Sequence, residues 1–268
     1  MIHLNGRLTA DADAGISCAD RGLTLADGLF ETICVRAGLP LRLDRHFARL
    51  RRGAEILGIA IPYADETLKS FVRELLDANG VADGVLRLTV TRGSANRGLW
   101  PVKGATPSVI LTADPIAFGE KPPARAWVVD GARRNHKSPL ARVKSLNYGD
   151  SLLAAREAAM RGATVAILRN TDGGLAETAT GSLFAVYRDC LLTPPVEDGA
   201  LPGIMRACVI ERFGAHQESL GVEDLFLATE LFQANALGIQ PIDQLNGKVL
   251  ETAAPGPVTR AVVETLPP

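Results

Sequence analysis

Cysteine is scarce in this chain of 268 residues: Cys18, Cys34, Cys190 and Cys208 are scattered and make no pair at a metal-binding spacing. That argues against a disulfide framework or a zinc centre as the organising device, and fits the reduced thiols of a cytoplasmic protein. No apolar run is long enough to cross a bilayer. The opening MIHLNGRLTADADAG lacks the basic stretch and apolar core of a secretory signal. Charge of one sign is also lacking, the net value being -1, so neither nucleic acid nor a membrane surface is an expected partner. Internal repeats and low-complexity segments are absent as well.

What is present is apolar content, 47% of the residues, enough for a sizeable core in one large or two modest domains. Residues 1–115 read as an α+β unit. Strands are expected at Ile2–Leu8, Leu29–Val35, Val85–Thr91 and Ser108–Ala113. Two amphipathic helices are expected at Leu43–Leu57, with Phe47, Leu50, Ala54 and Leu57 as the apolar stripe, and at Pro62–Ala78, with Leu68, Phe71, Leu75 and Leu76. The stretch PIAFGEKPP ends this unit, and residues 116–123 read as a linker. Residues 124–268 open with a strand at Ala124–Asp130 and a helix at Gly149–Arg161. A β-meander follows over Thr164–Leu168, Leu175–Ala179 and Leu183–Tyr187, with Cys190–Thr193 after it and turn signals at Asp172-Gly173-Gly174 and Arg188-Asp189. A helix at Ile204–Phe213, a strand at Phe226–Ala228 and a helix at Pro257–Thr265 complete the expectation.

Five places could carry chemistry, and each also has an ordinary reading. Lys144, in ARVKSLNYGD, has small and apolar neighbours. Partial desolvation of its amine would leave it nucleophilic and able to form a Schiff base; most lysines are simply solvated. Leu201-Pro202-Gly203-Ile204-Met205-Arg206 is a turn leading into a helix, where free N–H groups and the helix dipole favour a phosphate, or it is a plain loop-to-helix junction. Glu177, in LAETATGSLF, is a strand carboxylate beside small residues that a flat ring can approach, or an exposed charge. Arg92 and Arg97, in TVTRGSANRGLW, sit on a glycine-rich loop suited to a bidentate carboxylate contact, or on an ordinary hairpin connection. His46 and Arg49, in DRHFARLRR, lie on a helix whose charges are mainly solvent-facing, although one inward arginine would suit a phosphate.

The order of seven motifs goes further than any one of them. DGLFET (27–32), HFARL (46–50), TRGSANRG (91–98), KSLNY (144–148), LAETATGSLF (175–184), LPGIMR (201–206) and ANALGIQPI (234–242) together resemble the class IV aminotransferases, the fold type IV pyridoxal-5'-phosphate (PLP) enzymes, along nearly the whole chain. The resemblance implies an α+β two-domain fold with a smaller N-terminal domain and a larger, β-rich C-terminal PLP-binding domain. It implies PLP as cofactor, a small-molecule substrate and a homodimer. It implies that Lys144 is the Schiff-base lysine and that Glu177 pairs with the pyridine nitrogen. Arg49, Gly203, Ile204, Met205 and Asn235 would hold the phosphate, and Arg97, Thr32 and Tyr148 the substrate, with Arg97 often supplied to the neighbouring subunit. Two positions depart from the pattern: Ser182 where relatives usually have Asn, and Ala234 where they often have Thr. Within the family the TRGSANRG loop, KSLN, GIMR and the compact length are most similar to the 4-amino-4-deoxychorismate lyases. Aminotransferases of branched-chain or D-amino acids are the alternative.

Overall fold

The computed structural model describes residues 1–100, 104–250 and 252–266, and the chain divides into two units, Met1–Phe118 with Val143–Asn147, and Gly119–Arg142 with Tyr148–Pro268. In the first unit the elements are β1 (Ile2–Leu4), β2 (Arg7–Thr9), α1 (Arg21–Leu25), β3 (Gly28–Arg36), β4 (Leu39–Pro40), α2 (Leu43–Leu57), α3 (Asp65–Asn79), β5 (Gly84–Thr91) and β6 (Val109–Pro115). The expected strand Ile2–Leu8 is a hairpin instead. Asn5 and Gly6 take positive φ, 50° and 84°, and fold β2 back on β1, the turn that an Asn-Gly pair favours.

The six strands form one antiparallel sheet in the order β2-β1-β6-β5-β3-β4. Alternation along β3 and β5 sends Leu29, Ile33, Val35, Leu86, Leu88 and Val90 to one face, where they meet Phe47 and Leu50 of α2 and Leu68, Phe71 and Leu75 of α3. Each helix ends on a left-handed glycine, Gly58 or Gly80, whose N–H returns to carbonyls of the last turn. The excursion 143–147 joins this unit for a physical reason that its local sequence does not display. Val143 is buried in the same core, and β3 exchanges two backbone hydrogen bonds with the segment: Phe30 N–H donates to Lys144 O and Leu146 N–H to Gly28 O, both at 2.9 Å. The linear partition into 1–115, 116–123 and 124–268 has no place for this excursion.

The second unit contains β7 (Ala124–Arg134), α4 (Gly149–Met160), β8 (Val165–Asn170), β9 (Leu175–Thr178), β10 (Ser182–Tyr187), β11 (Cys190–Thr193), α5 (Ile204–Phe213), β12 (His216–Gln217), α6 (Val222–Leu227), β13 (Glu230–Asn235), β14 (Gly238–Leu245), β15 (Lys248–Val249) and α7 (Pro257–Thr265). Its nine-stranded sheet runs β12-β11-β10-β13-β14-β7-β8-β9, with β15 paired to β14. The expected meander is therefore interrupted: β8 and β9 pair, β10 and β11 pair, but β10 takes β13 as its other neighbour. The expected strand Phe226–Ala228 is the end of α6. Acidic Glu223 and Asp224 occupy that helix's first turn, and Asp224 accepts from Gly221 N–H at 2.7 Å. Both faces of β10 and β13 are covered. Leu183, Ala185 and Leu231 join Leu225 of α6 in one cluster, while Phe184 and Phe232, stacked at 4.8 Å, join Met205 and Val209 of α5 and Val262 of α7 in another.

Candidate active site

In the first unit Lys144 is half-buried, and its Nζ lies 4.4 Å from the centroid of the Phe30 ring, a cation–π contact. Its carbonyl accepts from Phe30 N–H, so backbone and amine are both referred to one residue of β3. Thr32 is half-buried and two positions along the same face of β3.

The opposite face of β3 carries Glu31, only 1% exposed. Two residues of α2 converge on it. Arg49 donates from Nε to Glu31 Oε1 at 2.8 Å and from Nη2 to Oε2 at 2.6 Å. His46 Nδ1 lies 2.7 Å from Oε2. Burial, the largest influence, would raise the Glu31 carboxyl, but the hydrogen bonds and charge of Arg49 and His46 outweigh it and hold the group below its usual value. Burial is also the largest influence on His46 and keeps it below its usual value against the pull of Glu31, with the positive charges of Arg49 and Lys144 adding to the effect. The neutral ring then donates its Nδ1 proton to Glu31. Arg49 is thus an inward-facing guanidinium in a fixed orientation, within electrostatic reach of the same histidine as Lys144.

In the second unit Glu177, with its side chain 12% exposed, is held at both oxygens. Arg134 Nε pairs with Oε1 at 3.0 Å and Leu201 N–H donates to Oε2 at 2.9 Å. Leu201 stands two residues before Gly203, the N-cap of α5, so the carboxylate and the helix start are joined by one short stretch of chain. Gly203 has no side-chain cap, and the first-turn N–H groups of Ile204 and Met205 have no acceptor among the described residues. A Cβ at Gly203 would stand 2.9 Å from Ser182 Oγ and 3.2 Å from Arg206 Cβ, so a larger residue here requires Ser182 or the helix start to shift. Buried Arg206 steadies the first turn by donating from Nη2 to Pro194 O and to Gln217 Oε1, both at 2.9 Å. Asn235 closes the adjacent turn: its Oδ1 accepts from Leu237 N–H at 2.9 Å and its Nδ2 donates to Thr180 O at 3.3 Å. Glu177, Gly203, Ile204, Met205 and Asn235 therefore fall in one neighbourhood. Tyr148 is placed by a different element, as the residue before α4 whose carbonyl accepts from Leu152 N–H.

Arg92 and Arg97 separate sharply. Arg92 donates to both oxygens of Asp27 at 2.7 and 3.1 Å and to the carbonyls of Gly58 and Leu57 at the end of α2. That arginine is a structural tie. Arg97 is exposed and lines a cavity of about 470 Å³ with Arg21, Leu25 and Ala95 among others. Sequence reasoning misses Glu31, Arg134 and Arg21. Glu31 has a local signal, being the one acidic residue in the apolar run LFETICV. Arg134 has none, because Glu177 is distant in sequence, and Arg21 has none for its loop contact, because Gly98 is distant even though Asp27 is near.

Within the second unit, the half-buried carboxylate of Glu177 and the uncapped start of α5 suit an anionic group beside a basic ring nitrogen, and the first unit carries the half-buried amine of Lys144 and the inward guanidinium of Arg49. Residues 28–245 match the model of the family described as amino-transferase class IV. The chain is 35% identical over 271 residues to a putative branched-chain-amino-acid aminotransferase of Methanocaldococcus jannaschii, covering 98% of this chain and 94% of that one. It superposes with a TM-score of 0.86 and 30% identity on 4-amino-4-deoxychorismate lyase from Pseudomonas aeruginosa, covering 99% and 98% of the two chains. It superposes with a TM-score of 0.90 and 33% identity on the branched-chain aminotransferase of the thermophilic archaeon Thermoproteus uzoniensis with norvaline, covering 98% and 92%.

Proposed function

The chain belongs to the class IV aminotransferase family, and from that premise we propose that it is a PLP enzyme with the reaction of a 4-amino-4-deoxychorismate lyase, forming 4-aminobenzoate and pyruvate. The observation that carries the cofactor reading is the junction of Glu177 with the start of α5 through Leu201. A carboxylate for a ring nitrogen and free N–H groups for a phosphate are thereby tied together by one hydrogen bond.

In this reading the backbone N–H groups of Ile204 and Met205 bind the phosphate, with Gly203 clearing the approach and Asn235 bordering it. Arg49, oriented by Glu31, opposes the phosphate charge. Glu177, its own direction set by Arg134 and Leu201, keeps the ring nitrogen protonated. When bound, the cofactor supplies an electron sink beside the carbon that bears the substrate amine. Lys144 would hold the cofactor until the substrate amine takes its place; the freed ε-amine would then take the proton from that carbon as a general base and return it to the departing enolpyruvyl group, which leaves as pyruvate as the ring becomes aromatic. Arg97 meets a substrate carboxylate, with Thr32 and Tyr148 as further substrate contacts. The reading includes a homodimer acting in the cytoplasm on a small molecule.

The lyase is favoured by the GIMR start of α5 and by the apolar pair that follows Arg97. Leu99 and Trp100 are 79% and 86% exposed and offer no second polar anchor on that loop. Aminotransfer is the second reading, favoured by the 35% identity to the aminotransferase against 30% to the lyase. One experiment separates them. The PLP-loaded protein is given aminodeoxychorismate in one arm, and a panel of branched-chain and D-amino acids with 2-oxoglutarate in the other. Formation of 4-aminobenzoate without glutamate supports the lyase, and glutamate without 4-aminobenzoate replaces it with the aminotransferase.

A further inference from the structure

The loop that presents Arg97 is tied down around that residue, and one buried side chain makes the tie beside it. Arg21 is 6% exposed. Its backbone N–H donates to Gly93 O at 2.9 Å, and its Nη1 donates to Gly98 O at 2.7 Å. It thereby spans both ends of the stretch that contains Arg97. Ala95 N–H donates to Ala19 O, and Asp20 forms a β-bridge with Ser94. Gly93, at a φ of 86° and with Thr106 O pressed against the place of its missing Cβ, turns the chain tightly into this arrangement.

Arg21 is itself fixed. Its Nε donates to Asp27 Oδ2 at 2.8 Å, the same oxygen that Arg92 Nε reaches at 2.7 Å. Asp27 immediately precedes β3, the strand whose Phe30 bonds Lys144, and Arg92 adds the end of α2 through Leu57 and Gly58. A continuous set of charge-assisted bonds thus runs from Gly98 through Arg21 and Asp27 to β3. A cation this buried is costly unless its geometry is used. Here that geometry holds Gly98, the residue after Arg97, beside the cavity that Arg21 and Arg97 both line.

We infer that Arg21, oriented by Asp27, is a positioning residue for Arg97 and so a determinant of affinity for the carboxylate-bearing substrate. The inference rests on the proposed role of Arg97. It gives Arg21 no part in the chemical step, so its loss acts on KM and spares kcat.

The test uses the holoenzyme and whichever substrate turns over in the two-arm assay. Arg21→Met is expected to raise KM about tenfold or more, with kcat within about threefold and the cofactor absorbance unchanged. Arg21→Lys keeps a charge for Asp27 but lacks the planar fork that reaches Gly98 O at the same time. It should show most of the same KM defect and remains informative if Arg21→Met does not fold. The Arg21→Met/Arg97→Ala double variant should be no worse in KM than Arg97→Ala alone. If Arg97→Ala raises KM while neither Arg21 variant does, or if the two defects multiply, the positioning inference is overturned and the role of Arg97 survives. If Arg97→Ala leaves KM unchanged, the role of Arg97 falls and takes this inference with it.

Discussion

Replacing Glu31 by alanine strips the carboxylate from between Arg49 and His46 and removes the two hydrogen bonds that it accepts from the buried guanidinium. The three contacts are 2.6–2.8 Å long, and the side chains of Glu31, His46 and Arg49 are 1%, 2% and 8% exposed, so solvent screens little of the loss. Removing one partner of such a buried pair costs about 3–5 kcal/mol. For a unit of this size, with roughly 4 °C of melting temperature per kcal/mol, the first unit should melt roughly 12–20 °C lower. The effect depends on pH with a definite sign. The folded Glu31 carboxyl lies below its usual value of 4.5, so its contribution is complete above that pH and is lost as pH falls through the lower folded value. His46, also lowered from its usual 6.5, acts in the same direction: stability is complete above 6.5 and declines as pH falls through its lower folded value. Arg49→Met combined with Glu31→Gln should restore most of the stability, since an apolar and a neutral group replace the pair. It should not restore cofactor affinity, because the guanidinium proposed to meet the phosphate is gone. Calorimetry on Glu31→Ala, Arg49→Met and the double variant, with PLP titration of each, reads both quantities. A loss under about 1 kcal/mol in Glu31→Ala, against the cost expected for a buried pair, or normal PLP affinity in the double variant, would refute this reasoning.

Three further outcomes follow from the same geometry. Glu177→Gln should keep PLP but turn over far more slowly; normal kinetics with only a lowered melting temperature would remove its role at the ring nitrogen. Gly203→Ala places a methyl against Ser182 Oγ, 2.9 Å from the ideal Cβ position. It should weaken PLP binding roughly tenfold by moving the N–H groups of Ile204 and Met205, and Ser182→Gly in the same chain should recover part of the loss. If Arg97 serves the neighbouring subunit, mixing Arg97→Ala chains with Lys144→Ala chains should, at a substrate concentration far below the KM of Arg97→Ala, regain activity that neither homodimer shows there. With heterodimers confirmed, no recovery would place Arg97 with its own chain's Lys144 or outside substrate binding.

Local patterns are legible wherever the determinants lie within a few residues. The stripe Phe47, Leu50, Ala54 identifies α2 to the residue, and Pro202-Gly203 locates the start of α5. The misreadings have non-local causes or an overlooked turn. Asn5-Gly6 is hidden inside a strand-like run. β13 and β14 separate β10 from β7 in the sheet, and without them the neighbouring segments string together into a meander. Phe226–Ala228 looks like a strand by its apolar side chains, when the acidic first turn of α6 decides its state. Segment 143–147 belongs with the first unit because Val143 enters that core, which no local pattern displays. The site divides in the same way. Lys144, Glu177 and the α5 start stand out as motifs in order. Their supports, Glu31 for Arg49, Arg134 for Glu177 and Arg21 for the Arg97 loop, are side chains that only the fold brings into contact.

The central claim is that Lys144 carries the cofactor, and borohydride reduction of the PLP-loaded protein tests it most directly. The reduced protein should carry one phosphopyridoxyl group per chain, and peptide mapping should find it on Lys144, in the peptide containing SLNYGD. Lys144→Ala, folded as judged by its circular dichroism, should incorporate none and be inactive. Label on another lysine, or an active Lys144→Ala enzyme, would contradict the account.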